Sequence, residues 1–261
     1  MSVLTPQAGT QAIYRVNPVA KLGATAIISI ALVLSIDWVS AAVALAFESV
    51  LFLFAGLSLR RFALRTLPVT IAAFFSAVTI LLYGEPSGQS YLRLLLINVS
   101  DGSIELAIAT LLRVLAIGLP AVVLFVTVDP TDLADGLAQV LHLPSRFVLG
   151  ALGGLRLVGL FIDDWKSLEL ARRARGIADR GRLRRFAGQA FALLVLSIRR
   201  GSKLATAMEA RGFGGSNRRS WARESRFGAA EVALLLIGVV VAAVSVTVSV
   251  ATGSWNFIVG G

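Results

Sequence analysis

The sequence predicts an all-α, polytopic membrane protein with about five transmembrane helices and a helical cytoplasmic module between the fourth and fifth. Three observations carry that expectation. Over 261 residues the chain is 56% hydrophobic and only 15% charged, with a mean hydropathy of +0.80, too apolar for a water-soluble domain. Its apolar residues fall in runs that can cross a bilayer at roughly 20 residues per helix. Its charge is segregated, because residues 141–227 hold 18 of the 25 Lys and Arg but only 6 of the 15 Asp and Glu.

In chain order, residues 1–14 lack the charged start and small-residue cleavage site of a signal peptide, so the first span is expected to stay in place. Asn17-Pro18 opens a helix, with Pro18 suited to its first turn and Lys21 able to snorkel to lipid headgroups. Leu22 to Leu59 is too long an apolar run for one crossing. Asp37-Trp38 divides it into a hairpin of spans at 22–36 and 38–58, with the tryptophan at the interface. Arg60, Arg61 and Arg65 precede a third span at 66–83, beginning near Pro68. Gly84 to Gln89 opens an external loop in which 91–97 is too short to cross and lies on the surface. A fourth span fits 104–128, and the valine-rich fifth fits 228–252. Residues 15–128 thus form the N-terminal membrane region and 228–252 the last crossing. By the positive-inside rule the N-terminus and residues 129–227 are cytoplasmic and the C-terminus external. For the tail after Thr252, Trp255 suits an external interface anchor.

Residues 129–227 read as three helices. Thr131-Asp132 caps a short one that reaches His142 and stops at Pro144. A longer helix runs from Ser145 or Arg146 to Arg175, apolar through Ile162 and polar after Asp163-Asp164. A basic connection at 180–185 leads to a third, ending at Arg211. Its apolar run lies between Arg185 and Arg199, short of a crossing, and suits an amphipathic or packed helix.

No catalytic constellation is present. Without cysteine there is no disulfide, thiolate ligand or cysteine nucleophile, and the single histidine, His142, has no second to share a metal. None of the three lysines, Lys21, Lys166 and Lys203, sits in a phosphate-binding loop, so no nucleotide or other cofactor is expected on this chain. Asp163, Asp164 and Glu169 lie among arginines and suit surface ion pairs, such as Glu169 with Arg172 or Arg173, rather than a metal. Glu48 and Arg113 fall inside spans at depths that allow either a helix-stapling pair or an arginine snorkelling alone toward Glu105 or Asp101. The basic segment carries no nucleic-acid motif, which leaves anionic lipid or an acidic protein surface as its partner.

One pattern occurs twice in that segment. Ala171-Arg172-Arg173-Ala174-Arg175-Gly176 and Ala207-Met208-Glu209-Ala210-Arg211-Gly212 are both Ala-x-x-Ala-Arg-Gly. Alanines at i and i+3 share a helix face that another helix can approach closely. An arginine in the last turn suits the negative end of the helix dipole, and a glycine just beyond it stops the helix in a left-handed conformation. Each copy is a helix that ends by presenting a guanidinium.

These paired motifs, the Asn17-Pro18-x-x-Lys21-Leu22 opening and the apolar-to-basic helix after Pro144 resemble the T component of energy-coupling factor transporters. That family supplies the transmembrane subunit of vitamin and metal-ion importers of the cobalt-transport type, and the resemblance spans residues 15–250. It implies that Ala174, Arg175, Gly176, Ala210, Arg211 and Gly212 form the surface engaging grooves on two ATP-binding-cassette ATPase subunits. It also implies a small membrane S component that captures the substrate, packed on the apolar face of residues 147–162 and 186–198. The rival readings are a basic membrane scaffold and a self-sufficient carrier, for which Glu48 and Arg113 are thin support.

Overall fold

The computed structural model describes residues 16–54, 59–84, 87–94, 97–176, 181–213, 215, 220, 221 and 223–255. Its helices are α1 (Pro18–Val33), α2 (Trp38–Phe54), α3 (Leu59–Tyr83), α4 (Asp101–Thr127), α5 (Pro130–Gln139), α6 (Ser145–Ala174), α7 (Arg182–Ala210) and α8 (Ala229–Ala251). Strands β1 (Ser90–Leu94) and β2 (Ile97–Ser100) separate α3 from α4. The chain divides into two compact units, residues 6–129 with 226–261, and Pro130–Ser225. The end of the expected second span at 55–58, Glu85-Pro86, Arg180 and the tail beyond 255 lie outside the described residues.

The first unit is all-α apart from the hairpin. Within it α4 packs on α1, α2 and α3, while α8 packs on α1 and α2. Its core is small and aliphatic, with Ile28, Leu32, Ala44, Ala116 and Val241 buried together. Small residues let the helices approach closely. A Cβ on Gly238 would stand 3.1 Å from the Cα and 3.2 Å from the carbonyl oxygen of Ala24. Between α4 and α3, Gly118 leaves room for the Val69 side chain, as expected where packing rather than hydrophobic exclusion drives association.

The helices begin and end away from the apolar runs. Asn17 caps α1 by accepting a hydrogen bond from the Val19 N–H, so the helix starts at Pro18 rather than Leu22. Helix α3 starts at Leu59, before the expected 66, and takes Pro68 into its interior. Thr66 and Thr70 donate to carbonyls one turn back beside that proline, the usual accommodation inside a membrane helix. At 16 and 17 residues, α1 and α2 are about 24 Å and 26 Å long, less than the roughly 30 Å hydrocarbon core. Among the described residues, four helices are long and apolar enough to cross: Phe62–Tyr83, Asp101–Leu124, Ala229–Ala251 and Ser145–Ala174. The last is α6, whose first 18 residues carry only Arg146 and Arg156 as charges, so length and composition do not separate it from a span.

The segment expected on the surface carries regular pairing: β1 and β2 are antiparallel, with Leu92 opposite Val99 and Arg93 opposite Asn98 and a bulge between Ser90 and Leu92, while residues 95 and 96 lie outside the described residues. Alternation of polar and apolar residues at 90–94 and 97–100 permits this, but a short apolar run does not reveal its period. Gly88 turns the chain into β1 at φ +76°. Ser100 and Ser103 then cap α4 reciprocally.

The second unit contains α5, α6 and α7. Helix α5 packs on the start of α6 through Ala134, Ala138 and Val148, with Trp221 against them. The short helix stops at Gln139 rather than His142, which takes a left-handed φ of 54° in the turn. Helix α7 runs back across α6. Trp165 and Phe186 rings lie 5.6 Å apart, and Gly153 admits Leu204 beside it.

Candidate functional site

Both Ala-x-x-Ala-Arg-Gly motifs end a helix. Arg175 is the C-cap of α6 and Arg211 the C-cap of α7, with nearly identical backbones at φ/ψ −86°/1° and −90°/9°. The glycines that follow are left-handed, Gly176 at φ +65° and Gly212 at φ +76°. Their N–H groups close the last turns onto the carbonyls of Arg173 (3.0 Å) and Glu209 (2.9 Å). Only glycine adopts this conformation without strain, which is why the motif ends in it.

What surrounds these ends is mostly nothing. Ala174, Arg175, Gly176, Ala210, Arg211 and Gly212 are all exposed, and no atom lies within 4 Å of where a Cβ would sit on either glycine. The alanines of each motif, also exposed, are not used to pack helices within this chain. Neither Arg175 nor Arg211 takes part in an ion pair among the described residues.

Several other arginines of the unit, Arg173, Arg185, Arg200 and Arg223, are spent on internal pairing. Glu169 receives both Arg173 and Arg185 at 2.7 Å, Asp164 holds Arg200 at 2.7 Å, and Asp132 holds Arg223 at 2.9 Å. Arg172 donates instead to the Arg185 carbonyl, so of the two partners expected for Glu169 only Arg173 is used. Arg185 and Arg200 tie α7 to the polar half of α6, leaving the two capping arginines unengaged. The two motifs also stand at opposite ends of α6. Arg175 terminates it, whereas Arg211 lines a groove of about 990 Å³ together with Pro144, Ser145 and Arg146 at its start. A 30-residue helix between them is about 45 Å long.

The intramembrane charges behave differently from either expectation. Arg113 donates to the carbonyl of Val33 at 2.6 Å, capping the C-terminal end of α1, and is neither paired with Glu48 nor turned toward Glu105 or Asp101. Because α1 is short, its orphaned last carbonyls lie within reach of a guanidinium on α4. Glu48 is 2% exposed, and both carboxylate oxygens lack a hydrogen-bond donor among the described residues. The pair is therefore not formed.

Two further polar constellations were not foreseen. Asp37, in the turn between α1 and α2, accepts from the hydroxyls of Ser35, Ser40 and Ser249 and from the Ser40 N–H. Burial alone would push its carboxyl up, but these four donors hold it below the usual carboxylate range. It caps α2 and ties the far end of α8 to that turn. Lys21 does not snorkel; it is 6% exposed and donates to the Thr127 carbonyl at 3.2 Å, at the negative end of α4. A lysine at the mouth of an apolar run is ambiguous in sequence, since a lipid phosphate and a helix C-terminus offer it similar acceptors.

Among the described residues no group of three His, Asp or Glu side chains is placed to hold a metal ion. Residues 9–221 match the family described as cobalt transport protein, CbiQ. The chain is also 26% identical over 249 residues to the energy-coupling factor transporter transmembrane protein EcfT of Bacillus selenitireducens, covering 90% of this chain and 92% of that protein.

Proposed function

The chain belongs to the CbiQ family of cobalt transport proteins, and from that premise we propose that it is the transmembrane coupling subunit of an energy-coupling factor importer. Two ATP-binding-cassette ATPases would dock on the helix ends at Arg175 and Arg211, and a small substrate-capturing membrane protein on the apolar faces of α6 and α7. One observation carries this reading. Two exposed guanidiniums, each set by a left-handed glycine and engaged by no carboxylate among the described residues, stand at opposite ends of a helix about 45 Å long. A pair of separate acidic pockets fits that arrangement, because a guanidinium fork binds a carboxylate in two parallel hydrogen bonds.

In this reading the ATPases move together on binding nucleotide and apart after hydrolysis. Each drags one helix end, and the stapling of α6 to α7 through Glu169 and Asp164 makes the two helices respond jointly. Their displacement tilts the substrate-capturing subunit so that its site changes side. The apolar surface it needs is present, since Phe147, Leu155, Val158 and Leu160 on α6 and Phe191, Leu194, Val195 and Ile198 on α7 are exposed. Recognition of the vitamin or metal ion belongs to that partner, so the residues of this chain do not select the substrate.

The test is purification of the tagged chain in detergent from its host, with partners identified by mass spectrometry. Two ATPase copies and a small hydrophobic protein are expected. Recovery of the chain alone would contradict the coupling role and favour a carrier that works by itself.

A further inference from the structure

Three buried polar side chains lie where α1 and α8 begin and α4 ends. Asn17 uses each of its polar groups there. Its Oδ1 caps α1, its Nδ2 donates to the Arg226 carbonyl at 2.9 Å, and its own N–H donates to Glu231 Oε1 at 3.0 Å. Glu231 Oε2 accepts from the Gly228 N–H at 2.8 Å, closing the first turn of α8. One turn along α1 from Asn17, Lys21 Nζ donates to both the carbonyl and the hydroxyl of Thr127. Asn17, Lys21 and Glu231 are only 7%, 6% and 8% exposed.

Their partners occupy telling positions in the chain. Thr127 is the last residue of α4 before the Pro130–Ser225 unit begins, and Arg226 is the first residue after it ends. A single turn of α1 therefore grips both strands of chain that connect the second unit to the membrane helices. Apolar packing alone could hold these helices side by side, but it is non-directional and tolerates sliding. Hydrogen bonds from a buried ammonium and a buried amide fix each strand at one position, and leaving such groups unpaired is costly.

We propose that Asn17, Lys21 and Glu231 form a clasp through which displacement of the 130–225 unit becomes displacement of the membrane helices, an inference that rests on the coupling role above. These are positioning residues, distinct from both exposed arginines. Cutting the clasp should leave the ATPases bound and hydrolysing while transport fails.

The experiment uses the purified complex in proteoliposomes and compares Lys21→Met and Asn17→Ser with the unaltered chain. Methionine keeps the apolar stem of Lys21 but not its donors. Serine still caps α1 yet is too short to reach Arg226. Uptake per ATP hydrolysed should fall about tenfold in each, within the usual span of coupling free energies, with assembly and hydrolysis retained. Because the chain has no cysteine, Phe75→Cys and Thr247→Cys can carry a spin-label pair on the exposed faces of α3 and α8. The label distance should shift when a non-hydrolysable ATP analogue binds, and Lys21→Met should abolish the shift. An unchanged uptake ratio with a persisting shift would overturn the clasp. So would loss of assembly in both variants, which would assign these residues to folding alone. Failure of the unaltered chain to hold ATPases at all would instead remove the coupling role, and this inference with it.

Discussion

The two units treat their polar groups in opposite ways. In the first unit several polar side chains that define its shape are committed within the chain, with buried Glu48 the exception. Asp37 collects four donors, Lys21 and Asn17 bind helix ends, and Arg113 caps α1. In the 130–225 unit the acidic residues hold some arginines, while the two in the repeated motif face outward with no partner among the described residues. Hydrocarbon supplies no hydrogen bonds, so a spanning unit must satisfy its own backbone and side chains. In the coupling role proposed above, the groups that the second unit leaves unpaired are those a partner protein would engage.

The sharpest way to break the first half of this contrast is Gly238→Leu. The new side chain would meet the Ala24 backbone, and overpacking at such a site typically costs about 1–3 kcal/mol. Thermal unfolding in detergent should show a clearly lowered midpoint; an unchanged one would mean that α1 and α8 do not approach as closely as described.

The second half is sharpened by Arg175→Lys and Arg211→Lys, which keep the charge and remove the fork. Loss of bidentate geometry should weaken ATPase association about tenfold per site, roughly 1.4 kcal/mol. Equal binding by the lysine variants, measured by titration of the purified ATPases, would point to a plain electrostatic anchor.

A pH titration separates the units more gently. The Asp37 carboxyl is held below its ordinary value in the folded chain, so its stabilising contribution is present above the unfolded pKa of about 3.9. That contribution is lost as pH falls through the lower folded value. Asp37→Asn should flatten the acid limb of the unfolding curve below about pH 4, leaving ATPase binding at neutral pH unchanged. An identical acid limb in both proteins would show that the four donors do not set the charge of Asp37.

The smallest effect is expected from Glu169→Ala. It frees Arg173 and Arg185, but both pairs are partly exposed, and such pairs are worth about 0.2–1 kcal/mol. A loss well beyond that range would mean that the pairing of α6 with α7 depends on this one carboxylate.

Much of this was legible in the sequence, for reasons that are physical. Hydropathy located apolar helices because such helices need long apolar runs, and the doubled Ala-x-x-Ala-Arg-Gly located two helix ends because a left-handed cap demands glycine. What stayed hidden depends on contacts between distant residues. Nothing near Ser249 announces that its hydroxyl reaches Asp37, and no local pattern tells Lys21 to choose Thr127 over a lipid phosphate. Glu48 and Arg113 matched in depth yet remain apart, since depth fixes one coordinate and leaves the helix faces free. The pairing of β1 with β2 was missed because strands of five and four residues are too short to display a period.

The most direct test of the contrast is the affinity of the Arg175→Ala/Arg211→Ala double variant for the ATPase pair, measured beside its thermal unfolding. Truncating one side of a desolvated charge pair costs about 2–5 kcal/mol, so binding should weaken at least about thirtyfold. The unfolding midpoint should stay put, because both side chains are exposed and neither is ion-paired among the described residues. Binding within twofold of the unaltered chain would contradict the assignment of these helix ends as the docking surface.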